Sequence, residues 1–144
     1  MKVLLQRVHG ARVEVEGQVV GAVEGPGILL FAGVEHGDDE PAVERLARRA
    51  LGYRVFPDGD GRMNRSVTDV GGGVLAVSQF TLAADTRKGM RPSFSSAAPP
   101  EAGRHLFDHF LSCLRGSGLH VATGKFAADM QVHLVNDGPV TFLL

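Results

Sequence analysis

The run Ile28-Leu29-Leu30-Phe31-Ala32, which follows Gly25-Pro26-Gly27, constrains the fold more than any other stretch of this chain. It is too short for a helix and carries no polar residue that could face water, so it reads as a central strand buried on both faces. Upstream, Val13 and Val15 alternate with Glu14 and Glu16, the period-two pattern of a half-buried antiparallel strand. Gly17 marks a turn into a further strand over Val19 to Val23.

Between Asp38 and Leu51 the period changes. Val43, Leu46, Ala47, Ala50 and Leu51 fall on one helical face, and Glu44, Arg45, Arg48 and Arg49 on the other. Asp38, Asp39 and Glu40 suit the positive end of a helix, Pro41 fits its first turn, and Gly52 closes it. Tyr53 to Phe56 reads as a short strand, Pro57 to Gly61 as a turn, and Gly71-Gly72-Gly73 as a break before a strand over Val74 to Leu82. A second amphipathic helix follows Pro99-Pro100, with Leu106, Phe107, Phe110, Leu111 and Leu114 on its apolar face and Gly116 and Gly118 at its end. The tail reads as a strand over Met130 to Asn136, a turn at Asp137-Gly138, and a strand over Val140 to Leu144.

With 144 residues, 44% hydrophobic and 22% charged, no repeat and no low-complexity linker, residues 1–144 are expected to form one domain. Strands grouped around two amphipathic helices imply an α+β fold with a mainly antiparallel sheet and a barrel-like core. The connection from Ala83 to Pro100 is longer than ordinary loops, and long ordered loops in compact domains commonly carry function.

Charge and cysteine content exclude several classes. A net charge of -1 leaves no broad basic field, so any contact with nucleic acid must be local. One cysteine, Cys113, cannot build a disulfide framework or a cysteine zinc site, and its solitude fits a reducing compartment. No apolar stretch approaches the ~20 residues that span a bilayer, and the first residues lack a signal-peptide core, so a cytoplasmic location is expected.

Most candidate motifs have a plain structural reading. Gly71-Gly72-Gly73 lacks the Lys-Ser/Thr ending of a phosphate loop and precedes a strand. His105 and His109 stand at i, i+4 but lack the Glu and third ligand of a metalloprotease helix, and read as solvent-edge residues. Cys113 lies beside Phe110 and Leu114, where a thiol acts as a small hydrophobe. Asp58-Gly59-Asp60-Gly61 is a turn rather than a calcium loop, because no bidentate Glu follows. No metal or cofactor is expected. Two segments keep a chemical flavour: Ser78-Gln79-Phe80-Thr81, polar groups at the end of an apolar strand, and Asn136-Asp137-Gly138-Pro139-Val140-Thr141, whose proline cannot donate to a ladder and must sit at an edge or turn.

These two segments resemble the signatures of the D-aminoacyl-tRNA deacylase family, S-Q-F-T and N-x-G-P-V-T, and both are complete. The resemblance extends over Leu5 to Val8, Leu51 to Arg54, Ala83 to Thr86, Gly89 to Phe94 and Phe126 to Met130. It departs at His133, where relatives carry a smaller residue. The resemblance implies a homodimer that hydrolyses the ester between a D-amino acid and the terminal adenosine of tRNA, spares L-aminoacyl-tRNA and removes mischarged glycine, with the active site at the subunit interface. It assigns Ser78, Gln79, Phe80 and Thr81 to the catalytic site and Gly138 and Pro139, joined by a cis bond and inserted from the partner subunit, to chiral selection. The same resemblance implies that Arg7 holds that insert, with Asn136 in support.

An aminoacyl ester is already labile, so its hydrolysis needs positioning and oxyanion donors more than a strong nucleophile. Main-chain N–H groups around Phe80 suit that role. Thr81 reads as a positioning residue, since a hydroxyl nucleophile needs a base and no histidine is its neighbour in sequence. Arg87, Lys88 and Arg91 are the local cations suited to the acceptor end of tRNA. Two other classes stay open: a non-catalytic module that binds a charged tRNA end, and a small-substrate esterase or amidase using Thr81 or Ser78. A purely structural oligomer leaves the two polar motifs unexplained.

Overall fold

Two long strands form the frame. In the computed structural model, which describes residues 1–144, β1 (Lys2–Val15) turns back at Glu16 and Gly17 into β2 (Gln18–Gly33). Both turn residues have positive φ, 50° and 76°, as a two-residue hairpin matching the strand twist requires. Helix α1 (Glu40–Gly52) follows, then the small hairpin β3 (Phe56–Pro57) and β4 (Met63–Arg65), and the one-turn helix α2 (Val67–Val70). Next come β5 (Gly73–Ser78), a single 3₁₀ turn (Phe80–Ala83), α3 (Pro100–Arg115), β6 (Val121–Thr123) and β7 (Gln131–Leu143).

The five long-range strands order as β6-β5-β2-β1-β7. The pairs β1/β2 and β1/β7 are antiparallel, whereas β2/β5 and β5/β6 are parallel. The sheet is therefore mixed but mainly antiparallel, as expected: its two longer ladders are antiparallel, and the parallel pairs stand where a helix intervenes. A helical crossover returns the chain in the direction it started, and α1 and α3 each supply one. The expected central strand is there, with Ile28, Leu29 and Leu30 fully buried.

Its side chains alternate between two cores. Ile28, Leu30 and Ala32 meet α1 and α3 through Val43, Ala47, Phe110 and Leu114, while Leu29 joins Val8, Val13, Leu75 and Val77 on the other face. Each large side chain so buried contributes roughly 1.5–3 kcal/mol. No helix covers the second face; the sheet curls over it. The curl brings Gly21 of β2 so close to the Thr123 carbonyl that a Cβ would collide with it. No ladder joins β2 to β6 there, so the sheet remains open and the barrel-like core is not realised.

Both helices lie where the periodicity puts them. Asp39 caps α1 by accepting from the Ala42 N–H at 2.8 Å, and Pro41 occupies the first turn. The apolar face expected for α3 is buried residue for residue. His105 and His109 are more than solvent-edge groups, since their Nε2 atoms meet Glu40 and Glu44 of α1 at 2.9 and 3.1 Å. The short helix α2 is an addition to the two expected; Ser66 and Asp69 form a reciprocal capping box, at 3.1 and 2.7 Å, that stabilises a single turn.

The main corrections concern glycine and proline. The gap at residues 24–27 between the strand expected over Val19 to Val23 and the run from Ile28, and the turn expected at Asp137-Gly138, are bulges inside continuous strands. Opposite Gly25 and Pro26 the β1 strand supplies only His9, and opposite residues 137–140 it supplies only Arg7. Because both flanks of each segment pair with the same neighbour, the chain bends without reversing. The strand expected over Val74 to Leu82 ends at Ser78, and the one expected over Tyr53 to Phe56 is confined to Phe56 and Pro57.

Candidate active site

The Ser78-Gln79-Phe80-Thr81 segment occupies the point where β5 leaves the sheet. The Gln79 N–H donates to the Ala32 carbonyl at 2.8 Å, the last main-chain bond to β2, and the chain then winds into the 3₁₀ turn. Gly33 makes room for it: a Cβ there would lie 2.8 Å from the Gln79 carbonyl oxygen and 2.9 Å from Leu82 Cβ. No side chain caps the turn, and the first N–H groups of a helical turn have no intrahelical acceptor. Those groups belong to Phe80 and Thr81. The Gln79 side-chain amide donates to the Thr81 hydroxyl, which has no carboxylate or imidazole partner.

Ser78, Gln79 and Phe80 form one wall of a cavity of about 450 Å³. Pro100 and Gly103 from the first turn of α3 line it as well, as do Phe126, Ala128 and Met130. This segment was missed as a site element although it carries part of the family resemblance. Ala127 within it holds φ at 62°, a left-handed conformation uncommon outside glycine. The cavity is mainly apolar and of a size that takes small ligands.

The second motif is presented elsewhere. Gly138 and Pro139 are exposed at the tip of the β7 bulge, joined by a cis peptide bond, and neither lines the cavity of its own chain. Gly138 has φ 145°, and a Cβ on it would lie 2.6 Å from Val140 Cγ2. The bulge is held from beneath. Arg7, whose side chain is 12% exposed, donates from Nε to the Asp137 carbonyl at 3.0 Å and from its guanidinium to the Val55 carbonyl at 2.5 Å, and its Nε lies 3.1 Å from the Asp137 carboxylate. His9 meets the other carboxylate oxygen at 3.3 Å. Asn136 spans the base of the bulge, accepting from the Val140 N–H at 2.7 Å and donating to the Thr141 hydroxyl at 3.1 Å. The fold thus brings Arg7 and Asn136 to Gly138 and Pro139, but does not bring that group to Ser78–Thr81 within one chain.

The three loop cations are not equivalent. Arg87 is paired with Asp85 at 2.7 and 2.9 Å, while Lys88 and Arg91 are exposed and have no ion-pair partner. The Arg87 guanidinium and main-chain N–H hold the Asp85 carboxyl well below the usual carboxylate range. The loop itself is closed by two main-chain bonds between Asp85 and Ser93, at 2.8 and 3.1 Å.

Other candidates fall into structural roles. Gly71 caps α2 with φ 64°, and Gly72 lies where a Cβ would meet the Pro26 carbonyl at 2.9 Å. Burial, with Glu44 and Glu40 adding to it, pushes the Cys113 thiol up and keeps it a poor nucleophile. Asp58 accepts from the N–H groups of Asp60 and Arg62 at 2.9 and 3.0 Å, as a turn residue does. His133 pairs with Glu14 at 3.4 Å and lines an open groove beside His9 and Arg12 rather than the cavity. No three His, Cys, Asp or Glu side chains gather in a metal-holding arrangement, and no helix is long and apolar enough to cross a membrane.

A family model described as D-Tyr-tRNA(Tyr) deacylase matches residues 4–144. The D-aminoacyl-tRNA deacylase of Alkalilimnicola ehrlichii is 64% identical over 141 residues, 98% of this chain and 93% of that protein. The one from Ectopseudomonas mendocina is 61% identical over 144 residues, 100% of this chain and 99% of its own length. A solved structure named c-Myc DNA Unwinding Element Binding Protein superposes with a TM-score of 0.94 at 40% identity, covering 100% of this chain and 97% of that one. Another, described as a probable eukaryotic D-amino acid tRNA deacylase, has a TM-score of 0.85 at 16% identity over 99% and 97% of the two chains, a likeness of fold. Matched from Leu4 to Leu144 and this similar to full-length relatives, the chain belongs to the D-Tyr-tRNA(Tyr) deacylase family.

Proposed function

We infer that the protein hydrolyses the ester between a D-amino acid and the terminal adenosine of tRNA, releasing free D-amino acid and tRNA, and that it does so as a homodimer. The observation that carries this reading is a complementary pair of features on one chain: a cavity edged by Ser78, Gln79 and Phe80, and an outward Gly138-Pro139 bulge gripped by Arg7 but idle in its own subunit. In the dimer each bulge enters the partner's cavity. The strand that bears it, β7, is a sheet edge of 13 residues with Val135 and Leu143 each 62% exposed, a surface suited to pairing with a second copy.

The chemistry follows from the groups present. The substrate's ammonium lies against carbonyls of the Gly-Pro unit, and the ester carbonyl points its oxygen at the Phe80 and Thr81 N–H groups. Water attacks the carbonyl carbon; the developing oxyanion is held by those N–H groups, and collapse releases the ribose oxygen, with the neighbouring ribose hydroxyl assisting proton transfer. Thr81, held by Gln79, positions rather than attacks. With ammonium, carbonyl and ester oxygen all fixed, an L side chain is driven into the Gly-Pro main chain while a D side chain points to open space. Such a filter tests backbone placement, so it accepts D residues of many sizes and also passes glycine. Aminoacyl-tRNA is the partner throughout, and the cytoplasm, where it is made, is the working compartment.

The test is time-resolved hydrolysis of matched D-, L- and glycyl-tRNA in the presence of chelator, with Arg7→Lys and Gly138→Ala beside the unmodified enzyme. Loss of the D and glycyl esters alone is expected, with both substitutions slowing it at least tenfold. Lysine offers a point charge where Arg7 spans two carbonyls, and alanine cannot take the Gly138 conformation without moving Val140. Tight binding of tRNA with no ester cleaved faster than in buffer would instead favour the non-catalytic module.

A further inference from the structure

Of the eight phenylalanines, only Phe80 and Phe94 are exposed, 59% and 41%, and they stand together with ring centroids 5.0 Å apart at 50°. Phe80 belongs to the cavity wall; Phe94 extends the aromatic surface beyond its rim. The loop behind Phe94 is built to hold it. Asp85 and Ser93 close the loop neck, the Ala97 N–H donates to the Phe94 carbonyl at 3.0 Å, and the Ser96 hydroxyl donates to the Ala83 carbonyl. Within the loop tip Lys88 and Arg91 are uncommitted cations and Met90 is fully exposed, whereas Arg87 is neutralised by Asp85.

We propose that Phe94, with Lys88 and Arg91, is a docking platform for the unpaired nucleotides that precede the terminal adenosine, and this rests on the aminoacyl-tRNA reading of the cavity. Exposed rings beside free cations are how proteins hold single strands without reading sequence: every base has a face to stack, and every linkage a phosphate to pair. Continuity argues for this occupant, since Phe94 is the exposed ring next to Phe80, 5.0 Å away, where a strand whose last nucleoside enters the cavity at Phe80 can continue. The protein carries no wide basic field, so this small patch supplies the local grip that a net charge of -1 otherwise denies.

The decisive comparison uses two substrates, full-length D-aminoacyl-tRNA and the D-aminoacyl ester of adenosine alone, with Phe94→Ala and Phe94→Tyr. Phe80 is left intact because it edges the reacting site. For Phe94→Ala a KM raised about tenfold on tRNA, kcat unchanged, no change on the nucleoside ester, and rescue by Phe94→Tyr are expected. Equal loss on both substrates, or none on tRNA, overturns the platform; a shift to monomer on dilution of Phe94→Ala assigns the patch to a second copy instead. The uncharged oligoribonucleotide C-C-A, titrated against the labelled protein, gives a readout independent of turnover. Amide shifts at Met90, Arg91 and Phe94 support the proposal even in an enzyme that cleaves nothing, and their absence overturns it even in one that cleaves D esters. Failure here is thereby distinct from failure of the deacylase reading.

Discussion

At the scale of residues, placement of the Phe80–Ala83 turn depends on an atom that is missing. Gly33 ends β2 beneath Gln79 and Leu82, so a methyl group there must push the turn off the end of the sheet. We expect Gly33→Ala to cost ~1–3 kcal/mol, the usual range for forcing extra volume into packed structure, read as a lower urea midpoint at unchanged slope. The same variant should lose at least tenfold in kcat on D-aminoacyl-tRNA, because the Phe80 and Thr81 N–H groups move with the turn. Full activity with lowered stability would show that the turn reseats itself and that its height above β2 is immaterial. None of this was visible in the sequence, where Gly33 is one of 19 glycines. The role proposed for Arg7 comes from the resemblance; its hold on the Val55 carbonyl, 48 positions away, is visible only in the structure.

At the scale of elements, what was legible followed period and length. The helices were legible because each buries one face over several turns, and β1 and the central run because two-residue alternation or an unbroken apolar stretch has few readings. The turn expected at Asp137-Gly138 is a bulge, which uses the same residues as a reversal; only the pairing of both flanks with β1 tells them apart, and the same holds for the strand that continues through Gly25-Pro26. The 3₁₀ turn was hidden for a similar reason, Phe80-Thr81-Leu82 having the composition of a strand. The loop between residues 84 and 99 makes its own prediction. Its Asp85 carboxyl, ordinarily near 3.8, is lowered in the folded chain by the Arg87 side-chain bond first and the Arg87 N–H second. A depressed carboxyl contributes order above its unfolded value and loses it as pH falls below. The amide resonance of Arg87 should therefore hold constant from pH 7 to about 4 and shift only in stronger acid. A shift centred near 4 would mean that the pair is open in solution.

At the scale of the whole molecule, α+β architecture followed from the order of elements, but the mixed sheet and its failure to close did not. Closure depends on how far bulges curl the strands, a geometric sum that no local pattern records. The proposed dimer is likewise a matter of surfaces, and its test follows from the exposed edge. Val135→Lys puts a charge on β7, as natural edge strands do to repel one another. Sedimentation should show a dimer that gives way to monomer in this variant, with D-aminoacyl-tRNA hydrolysis lost in parallel. A monomeric protein that kept full activity would remove the shared site. The pairing of Arg7 with Asp137 has a further consequence, in time rather than space. The two lie 130 positions apart, so the guanidinium of Arg7 meets its acceptor only when β7 docks beside β1. The β1–β2 hairpin can form early from neighbouring residues, whereas the clamp under Gly138 waits for the final strand. Until that strand docks, Arg7 has no Asp137 carbonyl to hold, and the bulge that carries Gly138 and Pro139 has no seat.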